Sequence, residues 1–268
     1  MATRFVLVEH GRNRFAIVLV VLFLPAWTTL AYLAMPDDRA RMQLQATGQW
    51  LTPHGNELTA ISGALNAVTL ITGFLMFAAT FNSGSFDKRL ALAGFPRAHL
   101  VAAKTTGLAL ASALVAAYAT AVTCLTWSPR QPVLLMGALF CAALTYGILG
   151  IGFGSLLRRE VEGMFAIVMT SIIDLALQNP VTSSGADSPG LRLLPSYGAM
   201  QAATAAGFSA KAVPGCLVIQ LAWFAAAGLL AFRYRTRTAL PVHARSLPAP
   251  RQDTDGERHP AQSRGTPC

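Results

Sequence analysis

Long apolar runs separated by short polar segments dominate this chain. A helix needs about 20 residues to cross a hydrocarbon core about 30 Å thick. Six stretches reach or approach that length: residues 15–35, 58–81, 100–127, 132–157, 164–178 and 214–232. The fifth is short and leads into NPVTSSGADSPG, whose Pro, Ser and Gly residues favour a break. The pattern predicts an all-α polytopic membrane protein with six transmembrane helices.

Basic residues indicate which ends of these runs face the cytoplasm. Of the 21 Lys and Arg residues, 12 lie in the N-terminus, in the connectors after spans two and four, and just after span six. Four more lie in the C-terminal tail, and only five flank the opposite ends of the spans. Cytoplasmic loops carry such an excess of Lys and Arg. We therefore expect cytoplasmic N- and C-termini and a multi-pass location in the plasma (inner, cytoplasmic) membrane.

Composition supports a membrane class and excludes several other functions. Charged residues make up 12% of the chain, against about 25% in soluble domains. The net charge of +9 lies at the ends of apolar runs, where it anchors spans in an anionic membrane. We therefore expect a lipid membrane and no nucleic acid as partner.

The chain lacks the common signatures of catalytic, nucleotide and metal sites. It contains no GxxxxGK[ST] motif, so it has no P-loop of its own, and no HExxH, GxSxG or CxxC motif. The five His residues lie at scattered loop and terminal positions, and three of the four Cys residues lie inside apolar runs. We expect no catalytic residue, no metal site and no cofactor bound by this chain.

The domain organisation follows from composition along the chain. Residues 1–238 form one six-helix transmembrane domain in this interpretation. Residues 239–268 are rich in Pro, Arg, Asp and Gln and nearly free of large apolar residues, so we expect a disordered cytoplasmic tail. The outer segment between spans five and six contains LRLLPSYGAMQAATAAGFSA, whose apolar and small residues predict short or re-entrant helices.

Two features inside the spans are candidates for a specific role. Asp174 in SIIDLALQNP is the clearest ionisable residue within a span, and such residues are costly to bury and often functional. The alternative is a structural Asp174, hydrated near the span end or bonded to Gln178 or Asn179. Gly150 and Gly154 form a GxxxG pair, which predicts close helix packing rather than nucleotide binding.

Two polar residues inside other spans have a simpler interpretation. Asn66 lies in span two and Gln220 in span six. Amide side chains in apolar helices commonly form hydrogen bonds to neighbouring helices. We expect both to hold helices together rather than to bind a ligand.

The connector between spans two and three, SFDKRLALAGFPRAHLVAAK, is basic and yet half apolar. Phe86, Leu90 and Ala93 follow the i, i+4, i+7 spacing of one helix face. Gly94 suits the end of a helix and Pro96 the first turn of the next. The segment therefore predicts a short amphipathic helix on the cytoplasmic surface, which serves either as a membrane anchor or as a docking element for a cytoplasmic partner.

This arrangement resembles the permease family of ABC type-2 transporters. The likeness rests on six spans, an amphipathic connector ending in G-F-P-R-x-x-L-V-x-A-K, the turn GSLLRREVEGMFAIVM, and the outer segment LLPSYGAMQA. It covers about residues 10–235. Many family members carry a Glu followed by Gly-Thr ahead of the connector, and the matching place here reads NSGSFDK, with Asp87 as the acid.

The resemblance implies a partner and a set of coupling residues. In that family the connector is a coupling helix that rests on a separate P-loop ATP-binding subunit. A complete transporter would contain two such ATPases, which bind ATP and Mg, and a second permease as a homodimer or heterodimer. The residues that the resemblance assigns to coupling are Phe86, Asp87, Lys88, Arg89, Leu90, Phe95 and Arg97.

The resemblance also implies transport rather than catalysis. The chain would be the membrane-spanning subunit of an exporter that moves an amphiphilic or drug-like substrate or a lipid out of the cytoplasm or inner leaflet. The uncharged first span favours an amphiphile over a sugar. The alternative is a self-contained polytopic protein, either a proton-coupled carrier or a membrane enzyme.

Overall fold

The computed structural model describes residues 18–45, 47–93, 97–183, 185–186, 188–211 and 213–238, without the side chains of 19, 84–92, 97–101 and 234–238. The described chain is mostly helical. Its α-helices are α1 Leu24–Leu33, α2 Gly55–Leu92, α3 Arg97–Thr126, α4 Pro132–Leu156, α5 Glu160–Gln178, α6 Tyr197–Phe208 and α7 Pro214–Thr238. A π-helical turn, Leu19–Phe23, precedes α1, and a 3₁₀ turn, Pro189–Leu193, precedes α6.

Four of these helices are long and apolar enough to cross a membrane. They are Gly55–Ser83, Ala102–Thr126, Pro132–Leu156 and Pro214–Arg233, which match predicted spans two, three, four and six. The described apolar part of span one is shorter, Val20–Leu33, and α5 contains 19 residues. The chain is therefore a membrane-associated helical protein, while spans one and five and the location of the termini stay predictions.

A two-stranded antiparallel hairpin joins α1 to α2 and was not expected from the sequence. Strand β1, Met42–Leu44, pairs with β2, Gln49–Leu51. Gly48 in the turn has a φ of 66°, a left-handed conformation that glycine adopts without steric strain. The bundle thus has a hairpin end, where α2 begins, and a connector end, where α2 finishes.

The predicted separate connector helix is wrong in one respect. The described backbone from Gly55 to Leu92 is a single 38-residue helix, about 57 Å long at 1.5 Å per residue. The part of the connector up to Leu92 therefore forms the last turns of α2. A mid-helix glycine costs only about 1 kcal/mol, so Gly84 does not interrupt the helix. The helix does end near the predicted stop, since α3 begins at Arg97, and residues 94–96 lie outside the described residues.

Close contact between α2 and α4 forms the centre of the bundle. A Cβ atom added at Gly150 would overlap the backbone carbonyl of Gly73, and one added at Gly154 would lie 2.9 Å from the carbonyl oxygen of Phe77. Neither position has room for a side chain. The two glycines therefore lie where α4 meets α2 backbone to backbone, and small residues permit this approach.

The segment after α5 folds back into the bundle. The prediction of short helices there is confirmed by the 3₁₀ turn and by α6, in which every residue from Tyr197 to Gly207 is buried. Helix α6 packs against α2, α4 and α7. Its many Ala and Gly residues explain the fit, because a Cβ atom at Gly198 would overlap the carbonyl oxygen of Cys216 on α7.

Candidate functional site: a buried polar cluster at the start of α6

Asp174 lies at the centre of the most connected group of buried polar side chains among the described residues. It is 1% exposed and faces inward from α5. The Tyr146 hydroxyl on α4 donates to Asp174 Oδ2 at 2.5 Å, and Gln178 Nε2, one turn along α5, donates to Oδ1 at 2.6 Å. The backbone N–H of Ser196 donates to Oδ2 at 3.0 Å. Both carboxyl oxygens thus accept hydrogen bonds.

The bond from Ser196 places Asp174 at the N-terminus of α6. Ser196 immediately precedes α6, and its own side chain makes no capping bond to the helix. Backbone N–H groups at a helix start lack partners within the helix, and a carboxylate there is favoured by the helix dipole. Asp174 therefore supplies from α5 the capping acceptor that α6 lacks locally.

Gln220 on α7 makes a second attachment to the same helix. Its Oε1 accepts from the backbone N–H of Ala199 at 3.0 Å, and its Nε2 donates to the Pro195 carbonyl at 2.7 Å. Nε2 also donates to Thr145 Oγ1 on α4 at 2.8 Å. This fully buried side chain confirms the prediction that Gln220 joins helices.

The far end of α6 is also attached by hydrogen bonds. The backbone N–H groups of Arg130 and Gln131 donate to the carbonyls of Gly207 and Ala206 at 3.2 and 2.9 Å. Gln131 Nε2 donates to the Ser209 carbonyl at 2.8 Å. The last carbonyls of a helix have no N–H donor within the helix, and these bonds supply donors to them. Helix α6 is therefore attached at both ends.

A further polar contact joins α5 to α2 about one helical turn before Asp174 along α5. Asn66 Nδ2 donates to Ser171 Oγ at 3.0 Å, and the hydroxyls of Thr69 and Ser171 lie 2.7 Å apart. All three side chains are buried. The prediction that Asn66 binds a neighbouring helix is confirmed.

The cluster consists of carboxyl, hydroxyl and amide groups, which can bind and position other groups by hydrogen bonds. Within the described part of the chain, no three His, Cys, Asp or Glu residues are grouped so that they could hold a metal. Asn66 Oδ1 and Gln178 Oε1 are buried without a hydrogen-bond partner among the described residues, which leaves acceptor capacity beside Asp174. Of the contacts that the sequence suggested for Asp174, the bond to Gln178 is present.

Those predicted coupling residues whose backbone the structure describes lie far from this cluster. Phe86, Asp87, Lys88, Arg89 and Leu90 occupy the last turns of α2, and only their backbone is described. Asn66, which lies beside Ser171, is 20 residues from Phe86, or about 30 Å along the helix. Phe95 lies outside the described residues, and Arg97 begins α3 without a described side chain. The bundle thus separates Asp174 from the predicted coupling residues.

Sequence reasoning missed Tyr146, Ser196 and Ser171 as members of the cluster. Tyr146 offered a signal, since a tyrosine hydroxyl inside an apolar helix needs a hydrogen-bond partner. Ser196 follows Pro195 and precedes the Ala-rich run of α6, which is an ordinary helix-start pattern. Neither signal identifies Asp174, 22 residues earlier, as the partner.

Comparison with family models, with curated proteins and with solved structures finds no match to this chain. The likeness to ABC type-2 permeases therefore rests on the motifs and architecture described above.

Proposed function

We propose that this chain is the membrane-spanning permease subunit of an ATP-driven exporter of the ABC type-2 class. The observation that carries the proposal is the single helix α2, which links the interior of the bundle to the basic connector. Its 38 residues reach about 57 Å, against a hydrocarbon core of about 30 Å. The apolar part of α2 ends at Ser83, so the residues from there to Leu92 would extend beyond the membrane, where a cytoplasmic ATPase could contact them.

The contacts along α2 explain how motion at its tip reaches the rest of the bundle. An uninterrupted helix transmits displacement along its length because its backbone hydrogen bonds keep it straight. Gly73 of α2 lies against Gly150 of α4, and Asn66 is bonded to Ser171 of α5. Displacement of the connector would therefore move α5 with α2 through this hydrogen bond and would act on α4 through the close glycine contact.

The driving force would come from the partner ATPase. Two ATPase subunits, each binding ATP and Mg, would close on ATP and hold the connectors of two permeases in a new position. Such a change requires that the connector contact the two ATPase states differently. Lys88 and Arg89 would supply charge-assisted contacts, while Phe86 and Leu90 would pack against the ATPase.

The substrate class follows from the character of the bundle. The four helices long enough to span a membrane are strongly apolar, and Asp174 is engaged by three described donors. An amphiphilic or drug-like molecule, or a lipid, suits such surroundings better than a sugar, which needs many free polar partners. Its path would run where two permeases meet.

An affinity experiment tests the proposed partner. The full-length tagged chain, extracted from its native membrane in mild detergent, should retain a P-loop ATPase. The variant F86A/K88A/R89A should lose it, because the connector's cations and one aromatic contact are removed. R39A/R130A/K211A, which removes three cations at the hairpin end, is the matched control and should retain it. Equal retention of the ATPase by both triple variants would contradict the proposal.

The alternative of a self-contained carrier rests on the burial of Asp174. A proton- or cation-coupled carrier requires that this carboxyl change its bound partner during transport. Under the exporter proposal Asp174 positions α6, and D174N, which keeps an acceptor for Tyr146 and Ser196, should preserve ATP-driven transport. Complete loss of transport by a stably folded D174N protein would favour the carrier.

A further inference from the structure

A small cavity at the hairpin end is lined by residues from four separate parts of the chain. Gln45 follows strand β1, Arg192 lies in the 3₁₀ turn, Tyr197 begins α6, and Cys216 and Ile219 belong to α7. The cavity has a volume of about 220 Å³. It is separate from the Asp174 cluster, and neither the proposed coupling mechanism nor that cluster uses its residues.

One side of this cavity is polar and cationic. Arg192 and Tyr197 both line this side of the cavity, and the Arg192 residue is exposed. No carboxylate among the described residues lies within salt-bridge distance of Arg192. A guanidinium has five N–H donors in a rigid, planar arrangement. This fork of donors matches the paired oxygens of a phosphate.

The other side of the cavity continues into an apolar surface. Ile219 lines the cavity and is 43% exposed, and its neighbour Val218 is 65% exposed. Within the span Pro214–Arg233, only 17% of the most apolar window is buried inside the protein. A surface this apolar on a membrane-spanning helix faces lipid chains. The cavity therefore lies at the junction between a lipid-facing surface and a cationic group.

The volume limits what the cavity can hold. Sites for drug-sized molecules measure about 300–1,000 Å³, so 220 Å³ is too small for a complete amphiphile. It equals the volume of about seven water molecules at about 30 Å³ each, which is enough for a headgroup. A molecule seated here would place its polar end in the cavity and its chains along α7.

We propose that this cavity binds the phosphate headgroup of an anionic membrane lipid, held by the Arg192 guanidinium and the Tyr197 hydroxyl, with the acyl chains lying along α7. The site requires only that α7 lie in a membrane. It is independent of the ATPase, so its failure and the failure of the exporter proposal are separately observable.

The test is a lipid titration of the purified full-length chain in neutral detergent, followed by native mass spectrometry. Three probes are compared: phosphatidylglycerol, diacylglycerol with the same chains but no phosphate, and inorganic phosphate. R192Q should weaken phosphatidylglycerol binding about 30-fold, since it removes a charge and its hydrogen bonds to phosphate. Y197F, which keeps the ring and removes the hydroxyl, should weaken it about fivefold.

The control variant is K211Q, which removes another cation from the same end of the bundle without touching the cavity. General attraction of anionic lipid to a surface cation predicts no more than about a fivefold effect for K211Q. The wild type should bind phosphatidylglycerol more tightly than inorganic phosphate, because the chains contact α7. Diacylglycerol binding should be equal in the wild type and R192Q.

Three results would overturn the proposal. Equal losses for R192Q and K211Q would mean that only surface charge attracts the lipid. Inorganic phosphate binding as tightly as phosphatidylglycerol would assign the site to a free anion. A fall in the lipid-free unfolding midpoint of R192Q, with lipid affinity unchanged, would mean that Arg192 stabilises the fold and does not bind lipid.

Discussion

Helix α2 meets its neighbours differently in its two halves. In the half near the hairpin, Asn66 and Thr69 bind Ser171 through side-chain hydrogen bonds. From its midpoint towards the connector, Gly73 and Phe77 lie against α4 and α5 through backbone and ring contacts, and Ser83 accepts a hydrogen bond from Lys104 of α3. A membrane supplies little hydrophobic force between helices, so directional bonds and close packing must both contribute.

The two kinds of contact have different mechanical consequences. A hydrogen bond between side chains fixes the register of two helices, because it weakens steeply when its geometry changes. A seam of small residues holds two helices close but imposes no directional bond along their axes. We infer that Asn66 and Thr69 fix the register of α2 against α5, while the glycine seam permits small shifts between α2 and α4.

The largest effect is expected from removing the acceptor at the start of α6. D174A leaves Tyr146, Gln178 and the Ser196 N–H without their shared partner, and we expect a loss of about 3 kcal/mol in the free energy of unfolding. D174N should lose markedly less, because its amide oxygen still accepts from Tyr146 and Ser196 and Gln178 Oε1 can turn to accept from its NH₂ group. Unfolding by denaturing detergent measures both.

The location of the damage sharpens this prediction. Amide hydrogen exchange in D174A should rise in α6, from Tyr197 to Phe208, more than in the connector half of α2. A uniform rise along both segments would contradict the view that Asp174 acts by fixing α6.

A smaller effect is expected from disturbing the glycine seam. G150A places a methyl group against the Gly73 carbonyl, where the structure has no room, and overpacking of this kind costs about 2 kcal/mol. The matched control is G137A on the same helix, where an added Cβ meets nothing within 4 Å, and it should be neutral or slightly stabilising. Equal unfolding midpoints for the two variants would exclude backbone contact between α2 and α4.

The smallest effect is expected from the contact between α2 and α5. S171A removes the hydroxyl that Asn66 and Thr69 share and should reduce the unfolding free energy by about 1 kcal/mol, since such bonds between membrane helices are individually weak. The double variant N66L/S171A should lose little more than S171A alone, because the pair is then removed together. If the double variant instead lost as much unfolding free energy as N66L and S171A lose separately and added together, Asn66 and Ser171 would not interact.

The sequence predicted those features that depend on local pattern. Apolar run length identified spans two, three, four and six, and the polarity of Asn66 and Gln220 identified them as contacts between helices. The short helices after α5 followed from a run of apolar and small residues. Each of these inferences uses residues close together in the chain.

The missed features depend on contacts between distant residues. Tyr146 and Ser196 are 28 and 22 residues from Asp174 in the chain, and yet both bind it. Hydrophobic periodicity describes neighbouring residues only and cannot predict such contacts. The continuity of α2 beyond residue 81 was missed because the polar residues NSGS interrupt the apolar run there. The hairpin between α1 and α2 was missed because its strands contain only three residues each.

The central claim, that the tip of α2 contacts an ATPase, is tested most directly by photo-crosslinking in native membranes. A photoreactive amino acid placed at Lys88 should give, after irradiation, an adduct that mass spectrometry identifies as a P-loop ATPase. The same group at Thr47, in the hairpin turn, should give none. The account would be contradicted if the group at position 88 formed adducts with lipid alone and if the same group at positions 86 and 89 also gave no adduct with an ATPase.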